Sequence, residues 1–148
     1  MTELYLSEID EDNWRAAMLL EPAPEQQAFL PSNLFSLAQA AYEPDFYPLA
    51  MYNDDDVMVG FAVLKLDEIG DYSLWSIARF MIDRLHQRKG YGRAGLDAIC
   101  DMLEDDNADG VWVSYVKDNN AAAKLYASSG FVDEGLTWND EIVVVLRF

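Results

Sequence analysis

A short glycine-containing segment, residues 87–94 (Gln-Arg-Lys-Gly-Tyr-Gly-Arg-Ala), joins a β-like stretch, residues 74–83, to a helical stretch, residues 94–103. Where a strand turns into a helix, the first backbone N–H groups of the helix lack partners. Together with the positive end of the helix dipole, these groups attract anions. Gly90 and Gly92 have no Cβ, so the backbone there can approach a ligand closely and adopt positive φ angles. The segment therefore predicts a phosphate-binding loop.

This segment is basic in a chain that is otherwise strongly acidic. The 148 residues include 27 acidic and 10 basic side chains, for a formal net charge of −17. Arg88, Lys89 and Arg93 are three of those ten basic residues, and a phosphorylated ligand would explain their position. The acidic remainder should repel nucleic acid and anionic lipid and attract cations. Solubility or adaptation to salt would account for the same acids.

Two other phosphate loops are alternatives for this segment. Residues 90–95 match G-x-G-x-x-G, the dinucleotide-binding fingerprint. In that fold the strand leads almost directly into the first glycine and a second βα unit follows. Here residues 84–89 intervene, and the chain before them resembles a hairpin, so the context disfavours that fold. A Walker A loop is excluded because the sequence contains no Gly-Lys-Ser/Thr. The alternative to a phosphate-binding loop is an ordinary strand-to-helix connection whose basic side chains are solvated.

A second motif, residues 119–131, reads Asn-Asn-Ala-Ala-Ala-Lys-Leu-Tyr-Ala-Ser-Ser-Gly-Phe and follows a predicted strand, residues 111–116. Asp118 or Asn119 can cap the start of a helix, and the alanines favour helix formation. Gly130 is suited to the position just after the helix ends. The pattern predicts a strand followed by a short capped helix.

In this order and at this separation, the two motifs resemble those of the GNAT superfamily of acyl-CoA-dependent N-acyltransferases. The first corresponds to its Q/R-x-x-G-x-G/A pyrophosphate loop and the second to its N-x-x-A-x-x-L-Y-x-x-x-G-F helix. The likeness covers residues 57–148. It implies a mixed α/β (α+β) fold whose mainly antiparallel central sheet is splayed at the cofactor site and flanked by helices. It also implies an acetyl-CoA-dependent N-acetyltransferase that uses no metal.

The rest of the chain agrees with the element order β-α-α-β-β-β-α-β-α-β-β in a single domain, residues 1–148. A chain of this length can bury one sizeable core. Proline residues mark the ends of helices, and Pro31 is a predicted kink or interruption. The other predicted elements are strand 4–9, helix 14–21, helix 25–42, strands 49–52 and 57–66, and a closing hairpin of 131–137 with 141–148.

The resemblance implies a role for each part of the cofactor site. The pantetheine arm of the cofactor would pair with the exposed edge of the long strand, and the pyrophosphate would lie over the amides of residues 88–93. Asn119 would contact the cofactor beside Ala122. The backbone N–H of Met81 would polarise the thioester oxygen. The implied cofactor-binding residues are Phe80, Met81, Ile82, Asp83, Arg88, Lys89, Gly90, Tyr91, Gly92, Arg93, Asn119 and Ala122.

Two residues are the candidates for proton transfer. By resemblance, Tyr126 would act as general acid and donate its proton to the departing thiolate, although a helical tyrosine is more often a packing residue. Several relatives carry a carboxylate on the long strand as general base, where this chain has Ala78 near the expected position. Glu43, in the loop after the second helix, is the predicted substitute, directly or through water. An ordinary exposed acid is the alternative for Glu43.

Four short segments carry a narrower likeness: residues 13–14 (Asn-Trp), 36–38 (Ser-Leu-Ala), 42–44 (Tyr-Glu-Pro) and 79–83 (Arg-Phe-Met-Ile-Asp). Through them the chain resembles, within the family, the small bacterial spermine/spermidine acetyltransferases. This narrower likeness implies a polyamine as the acceptor, which suits the acidic composition. An aminoglycoside, an amino acid or a protein amino group are the alternative acceptors, and a non-catalytic acyl-CoA sensor is the alternative to an enzyme.

The expected location is the cytoplasm, because the sequence has no signal-peptide pattern and no apolar run long enough to span a bilayer. Cys100 is the single cysteine and is expected to be a small buried hydrophobe. With one histidine, His86, the chain has little material for a zinc site or a Ser-His-Asp triad. Neither nucleic acid nor membrane is an expected partner. Members of the family often dimerise, so a homodimer is a possible partner state. Residues 138–148 could contribute to its interface.

Overall fold

The computed structural model describes residues 3–24, 27, 31–69 and 72–148, and within these ranges the chain forms one sheet flanked by helices. No helix in these ranges is long and apolar enough to cross a bilayer. The strands are β1 (Tyr5–Glu8), β2 (Phe46–Tyr52), β3 (Met58–Ile69), β4 (Tyr72–Ile82), β5 (Gly110–Tyr115), β6 (Val132–Trp138) and β7 (Glu141–Arg147). The helices are α1 (Trp14–Leu19), α2 (Asn33–Tyr42), α3 (Tyr91–Asp105) and α4 (Asn120–Ser128), and a short 3₁₀ helix, Arg84–His86, precedes α3.

The described strands pair in the order β1-β2-β3-β4-β5-β7-β6, and β4 with β5 is the one parallel pair among them. This pair is short, since only residues 74–76 of β4 align with residues 110–112 of β5. Beyond Ser76 the two strands diverge, while β4 continues to Ile82 paired only with β3. The splay predicted for the middle of the sheet is confirmed, and it leaves backbone groups of β4 facing an opening.

A β-bulge marks the point where β4 leaves β5. Val63 of β3 lies opposite Arg79, and the next residue of β3, Leu64, lies opposite Ile77, so Ala78 is an extra residue without a partner. Bulges of this kind bend a strand and redirect its side chains. The bulge therefore helps to turn the following residues of β4 toward the opening.

Apolar clusters cover both faces of the sheet. On one face, Leu96, Ile99 and Leu103 of α3 are almost fully buried against a cluster that includes Val111 and Val113 of β5. On the other face, a smaller cluster combines buried residues of α1, β2, β3 and β4, including Met81. Because both faces are covered, the gap between β4 and β5 is an opening within a packed structure.

The predicted element order is confirmed, and the differences lie at the ends of elements. The second helix begins at Asn33, where Ser32 accepts a hydrogen bond from the N–H of Phe35 at 3.1 Å and so caps it. The predicted stretch 25–32 is therefore not part of this helix where it is described, and residues 25, 26 and 28–30 lie outside the described residues. The third helix begins at Tyr91, three residues earlier than its predicted start at residue 94.

The second strand begins at Phe46, three residues before its predicted start at residue 49, and therefore includes a proline. Pro48 belongs to β2 and lies opposite Val63 of β3. Proline lacks an N–H and is tolerated where one side of a strand has no partner. The pairing of β1 with β2 ends at Leu49, so β2 has only β3 beside it at Pro48. A strand with one open side can accommodate a proline in this way.

Candidate active site

A cavity of about 270 Å³ lies where β4 and β5 diverge. Its wall combines the end of β4, the segment leading into α3, the end of β5, α4 and the first residue of β7. Both faces of the sheet contribute, since Tyr126 comes from α4, whereas the side chain of Arg79 reaches Gln39 on α2. The wall of the cavity therefore includes side chains from both faces of the sheet.

The first turn of α3 forms the part of the wall predicted to bind phosphate. Gly90 is the N-cap residue with φ of 82°, and it has no side chain with which to cap the helix. The first N–H to bond back into the helix is that of Ala94, which donates to the carbonyl oxygen of Gly90 at 3.1 Å. The N–H groups before it have no intrahelical acceptor. Gly90, Tyr91 and Gly92 line the cavity, so this turn presents a row of donors to it.

Side-chain hydrogen bonds hold this segment against the sheet. The Nε2 of Gln87 donates to the carbonyl oxygen of Ile82 at 2.6 Å, which ties the segment to the end of β4. The hydroxyl of Tyr91 accepts from Nδ2 of Asn53 at 3.3 Å, and the Oδ1 of Asn53 accepts from the N–H groups of Asp55 and Val57. The start of α3 is thus fixed to both β4 and the turn between β2 and β3.

The glycines of this segment have different structural roles. Gly90 uses its freedom to adopt a positive φ, whereas Gly92 is helical and does not. A Cβ at Gly92 would have only Cδ2 of Leu125 nearby, at 3.8 Å, which is an ordinary contact. A Cβ at Gly95 would lie 2.6 Å from Sδ of Met51. Packing requires Gly95, whereas no contact with a described residue requires Gly92.

Tyr126 lies in the cavity wall as a neutral phenol. It is 7% exposed and packs against Tyr115 and Phe131, with ring centroids 6.1 Å and 5.7 Å away. Burial raises the pKa of Tyr126 above its ordinary value, so the hydroxyl keeps its proton at neutral pH. Asn119 caps α4, because its Oδ1 accepts from the N–H of Ala122 at 3.2 Å. Tyr126 is therefore both a packing residue and an available proton donor.

A group of polar side chains forms the opposite part of the wall. Glu141 is the first residue of β7, and the hydroxyl of Ser114 on β5 donates to its Oε1 at 3.1 Å. Nη1 of Arg79 donates to the carbonyl oxygen of Ala78 at 2.8 Å, and Nη2 donates to Oε1 of Gln39 at 3.5 Å. Burial lowers the pKa of Arg79, and the negative charge of Glu141 opposes that shift. The cavity thus contains a carboxylate and a guanidinium of opposite charge.

The comparison with protein families decides what this architecture is. Residues 6–131 match the sequence model of the acetyltransferase (GNAT) family. The chain belongs to this family. The spermine/spermidine N(1)-acetyltransferase of Bacillus subtilis (strain 168) is 29% identical over 148 residues, covering 96% of this chain and 97% of that protein.

Solved GNAT structures share the fold along the whole chain. The spermidine N-acetyltransferase of Vibrio cholerae, in complex with CoA and spermine, has a TM-score of 0.72 and 17% identity, covering 99% of this chain and 95% of that chain. An aminoglycoside acetyltransferase in complex with coenzyme A has a TM-score of 0.80 and 15% identity, covering 98% and 95%. The predicted family, fold and enzyme class are confirmed, with acetyl-CoA as the cosubstrate. At sequence identities this low the likeness shows that the fold is shared, and it does not identify the acceptor substrate of this chain.

Nine of the twelve predicted cofactor-binding residues line the cavity of this GNAT domain, and Asp83, Lys89 and Arg93 do not. The buried carboxylate of Asp83 instead accepts from the N–H of Glu21 at 3.0 Å. Nε of Arg93 lies 3.3 Å from both carboxylate oxygens of Asp97, and its Nη1 donates to the hydroxyl of Ser128. These two side chains join parts of the fold, and their predicted contact with the cofactor has no support from the cavity lining. The nine are Phe80, Met81, Ile82, Arg88, Gly90, Tyr91, Gly92, Asn119 and Ala122.

The predicted general base, Glu43, lies outside the cavity wall. It is exposed at the end of α2, where its backbone N–H donates to the carbonyl oxygen of Gln39 at 2.8 Å. Ala78, near the position where relatives carry a carboxylate, does line the cavity. The base role of Glu43 stays a prediction that this geometry does not support.

The acidic residue in the cavity wall, Glu141, was not predicted from the sequence. It follows a turn in the closing hairpin and has no motif around it. Its place in the wall depends on β7 lying next to β5, a neighbour relation that skips β6. Only the order of the strands in the sheet could have indicated Glu141. If β7 is known to pair with β5, the start of β7 is expected opposite the end of β5.

The described residues contain no group of three side chains able to hold a metal ion. Cys100 is half-buried in α3, and burial, with further contributions from Asp97, Asp101 and Glu104, raises the pKa of its thiol to about 12. A thiol with such a pKa stays protonated at neutral pH and is a poor nucleophile. Its predicted character as a small apolar side chain agrees with this environment.

Proposed function

We propose that this GNAT enzyme, acting as a single domain, transfers the acetyl group of acetyl-CoA to a primary amine of spermidine or spermine. The observation that carries the proposal is the similarity to the Bacillus subtilis spermine/spermidine N(1)-acetyltransferase, which extends over 96% of this chain at 29% identity. The net charge of −17 supports it, because a polycationic acceptor is attracted to an acidic protein. The cytoplasm, where acetyl-CoA is available, is the proposed location, and the homodimer stays a prediction.

The cofactor would occupy the side of the cavity formed by β4, α3 and α4. Acetyl-CoA supplies a thioester, whose acetyl group is the one transferred. Residues 80–82 of β4 have a partner strand on one side only, which leaves backbone groups to pair with the cofactor arm. The first turn of α3 would bind the pyrophosphate, with Arg88 adding positive charge. Asn119 and Ala122 would contact the cofactor at the start of α4.

Chemistry would take place between β4 and Tyr126. The backbone N–H of Met81 would polarise the thioester oxygen, which gains negative charge as the amine attacks. The amine would attack in its neutral form, after passing a proton to water, and its nitrogen would form the C–N bond as the C–S bond of the thioester breaks. The Tyr126 hydroxyl would donate its proton to the departing sulfur, and the proton released by the new amide nitrogen would pass to water and restore Tyr126. The burial that keeps this phenol protonated supports such a role.

The test is thiol release from acetyl-CoA with spermidine, spermine, an aminoglycoside, an amino acid, a lysine-rich peptide or no amine. Turnover with the two polyamines at the highest kcat/KM is the expected result. A higher kcat/KM for the aminoglycoside or the peptide would overturn the polyamine assignment and keep the enzyme class. Binding of acetyl-CoA without turnover of any amine would favour the sensor.

A further inference from the structure

The cavity holds one carboxylate whose function the cofactor does not explain. Glu141 lies in the wall with Ser114 and Arg79, away from the first turn of α3 that suits the phosphates. A carboxylate repels the phosphates of a nucleotide cofactor, so its place in the same cavity calls for a cationic ligand. The acceptor of an N-acetyltransferase is an amine, which is protonated near neutral pH.

Ser114 holds the Glu141 carboxylate in one orientation. Ser114 lies opposite Val143 in the pairing of β5 with β7, so Glu141 is its diagonal neighbour two residues along β7. Diagonal neighbours on one face of a sheet are within reach of longer side chains, and the hydroxyl donates to Oε1 at 3.1 Å. An ionised carboxylate has about four acceptor positions. Ser114 uses one, which leaves the others for donors of a ligand.

Arg79 is close enough to attract Glu141 but does not neutralise it directly. The two charges interact, yet Glu141 forms no salt bridge with any described residue. The guanidinium donates instead to the carbonyl oxygen of Ala78 and to Gln39. Those hydrogen bonds hold the guanidinium on the α2 side. The carboxylate therefore keeps acceptor positions that a second cation can use.

An aromatic surface adjoins Glu141 outside the cavity. Trp138 lies directly opposite Glu141 in the pairing of β6 with β7, is 52% exposed, and packs edge-on against Trp112 at 6.1 Å between ring centroids. Directly opposite residues point to the same face of a sheet, with Cβ atoms about 5 Å apart. A tryptophan face attracts cations and covers methylene groups. A carboxylate beside an exposed indole suits an amine carried on an alkyl chain.

We propose that Glu141 binds a protonated amino group of the acceptor in the cavity, with Ser114 positioning the carboxylate and Trp138 covering the methylene groups next to it. This inference rests on the proposed function only for the choice of acceptor, since any amine acceptor of this enzyme carries the required charge. It assigns the acceptor end of the cavity to polar residues of β4, β5 and β7, with Trp138 of β6 beside them, opposite the cofactor end.

The test compares the purified full-length enzyme with Glu141→Gln, which keeps the size of the side chain and the hydrogen bond from Ser114 but removes the charge. The KM for spermidine is expected to rise by about 10-fold to 100-fold, the effect of losing a hydrogen bond between charged groups. The KM for acetyl-CoA should change by less than about twofold, because the phosphate-binding turn is untouched. Glu104→Gln, on the exposed face of α3, makes the same change in net charge and should leave both values unaltered.

Two further variants separate binding from folding. Glu141→Asp restores the charge at shorter reach and should recover part of the affinity for spermidine, whereas a merely structural role would make it no better than Glu141→Gln. Ser114→Ala should raise the KM for spermidine by less than Glu141→Gln does, with kcat nearly unchanged. A KM for spermidine that stays within twofold of wild type in Glu141→Gln overturns the inference, as does an equal rise in both KM values.

Failure of the proposed function would look different. If wild type acetylates another amine of the panel and not spermidine, the polyamine assignment fails. The same variants are then compared with the amine that is turned over fastest. An unchanged KM for that amine in Glu141→Gln overturns the inference by itself.

Discussion

The cofactor end and the acceptor end of the cavity are built in different ways. The cofactor end consists largely of consecutive residues around Gly90, which present backbone N–H groups at the start of α3. The acceptor end combines Arg79, Ser114 and Glu141, which come from three strands and lie far apart in the sequence. A site that binds its ligand through the backbone of one turn is encoded by a continuous sequence motif. A site that binds its ligand through side chains from several strands has no such motif.

The difference follows from what each ligand needs. Phosphates bind to several N–H groups that point the same way, and one turn at a helix start supplies them. A cationic amine needs a carboxylate at one place, and any strand that passes this place can supply it. The cofactor end is therefore recognisable in the sequence, while the acceptor end depends on which strands lie next to each other.

Tyr126→Phe tests the residue between the two ends and should have the largest effect. Loss of the proton donor is expected to lower kcat by about 100-fold or more, the range of general acid catalysis. The dissociation constant of acetyl-CoA, measured by calorimetry, should stay within about threefold of wild type, because the ring and its packing are kept. An equal loss of turnover and of acetyl-CoA affinity, or a loss of neither, would contradict the proton-donor role.

Gly92→Ala tests the cofactor end without disturbing the fold. The nearest atom to the new Cβ is 3.8 Å away, and alanine is the better helix former, so the melting temperature should not fall. The KM for acetyl-CoA is expected to rise by about tenfold, the effect of losing one hydrogen bond to a charged group as the ligand is pushed away.

The neighbouring glycine is the matched control for that change. Gly95→Ala places a Cβ 2.6 Å from Sδ of Met51 and should destabilise the fold by about 1–3 kcal/mol through overpacking. A thermal melt and the KM for acetyl-CoA, measured for each variant, separate the two effects. If Gly92→Ala instead lowered the melting temperature and left the KM unchanged, the cofactor would not lie against this turn.

Arg88→Gln, compared with Arg93→Gln, tests which loop cation acts on the phosphates. Arg88 lines the cavity, whereas Arg93 interacts with Asp97 and Ser128 outside it. The KM for acetyl-CoA should rise by about threefold for Arg88→Gln at low salt, as expected for a partly exposed charge, and by less at high salt. Arg93→Gln makes the same charge change and should have the smaller effect. A larger effect at Arg93 would restore the cofactor contact predicted from the sequence.

Trp138→Ala should have the smallest effect and is confined to the acceptor end. The KM for spermidine is expected to rise by about twofold to threefold, as for an exposed cation–π contact, with no change for acetyl-CoA. Leu136→Ala is the control, because Leu136 is 53% exposed on the same strand, two residues away. Equal effects of both variants on the KM for spermidine would show that Trp138 has no specific contact with the acceptor.

Most of the fold was predictable because its elements carry local signals. The glycine N-cap of α3, the Asn119 cap of α4 and the alternation of apolar residues depend on neighbours in the sequence. The structure departs from the local sequence pattern where distant contacts decide the outcome. Pro48 is tolerated in a strand because β1 ends beside it, and Arg93 bonds to α4 and to its own helix instead of lining the cavity.

The sequence by itself determined the family, the order of the elements and the glycine turn at the start of α3, because each of these depends on consecutive residues. Only the tertiary structure decided which acidic residue lies in the cavity. Glu43 and Glu141 are both acids at the end of an element, and nothing local distinguishes them. β7 pairs with β5 beside the splay, which brings Glu141 to Ser114, while α2 ends with Glu43 exposed to solvent. Long-range strand pairing, which short sequence patterns do not specify, makes that choice.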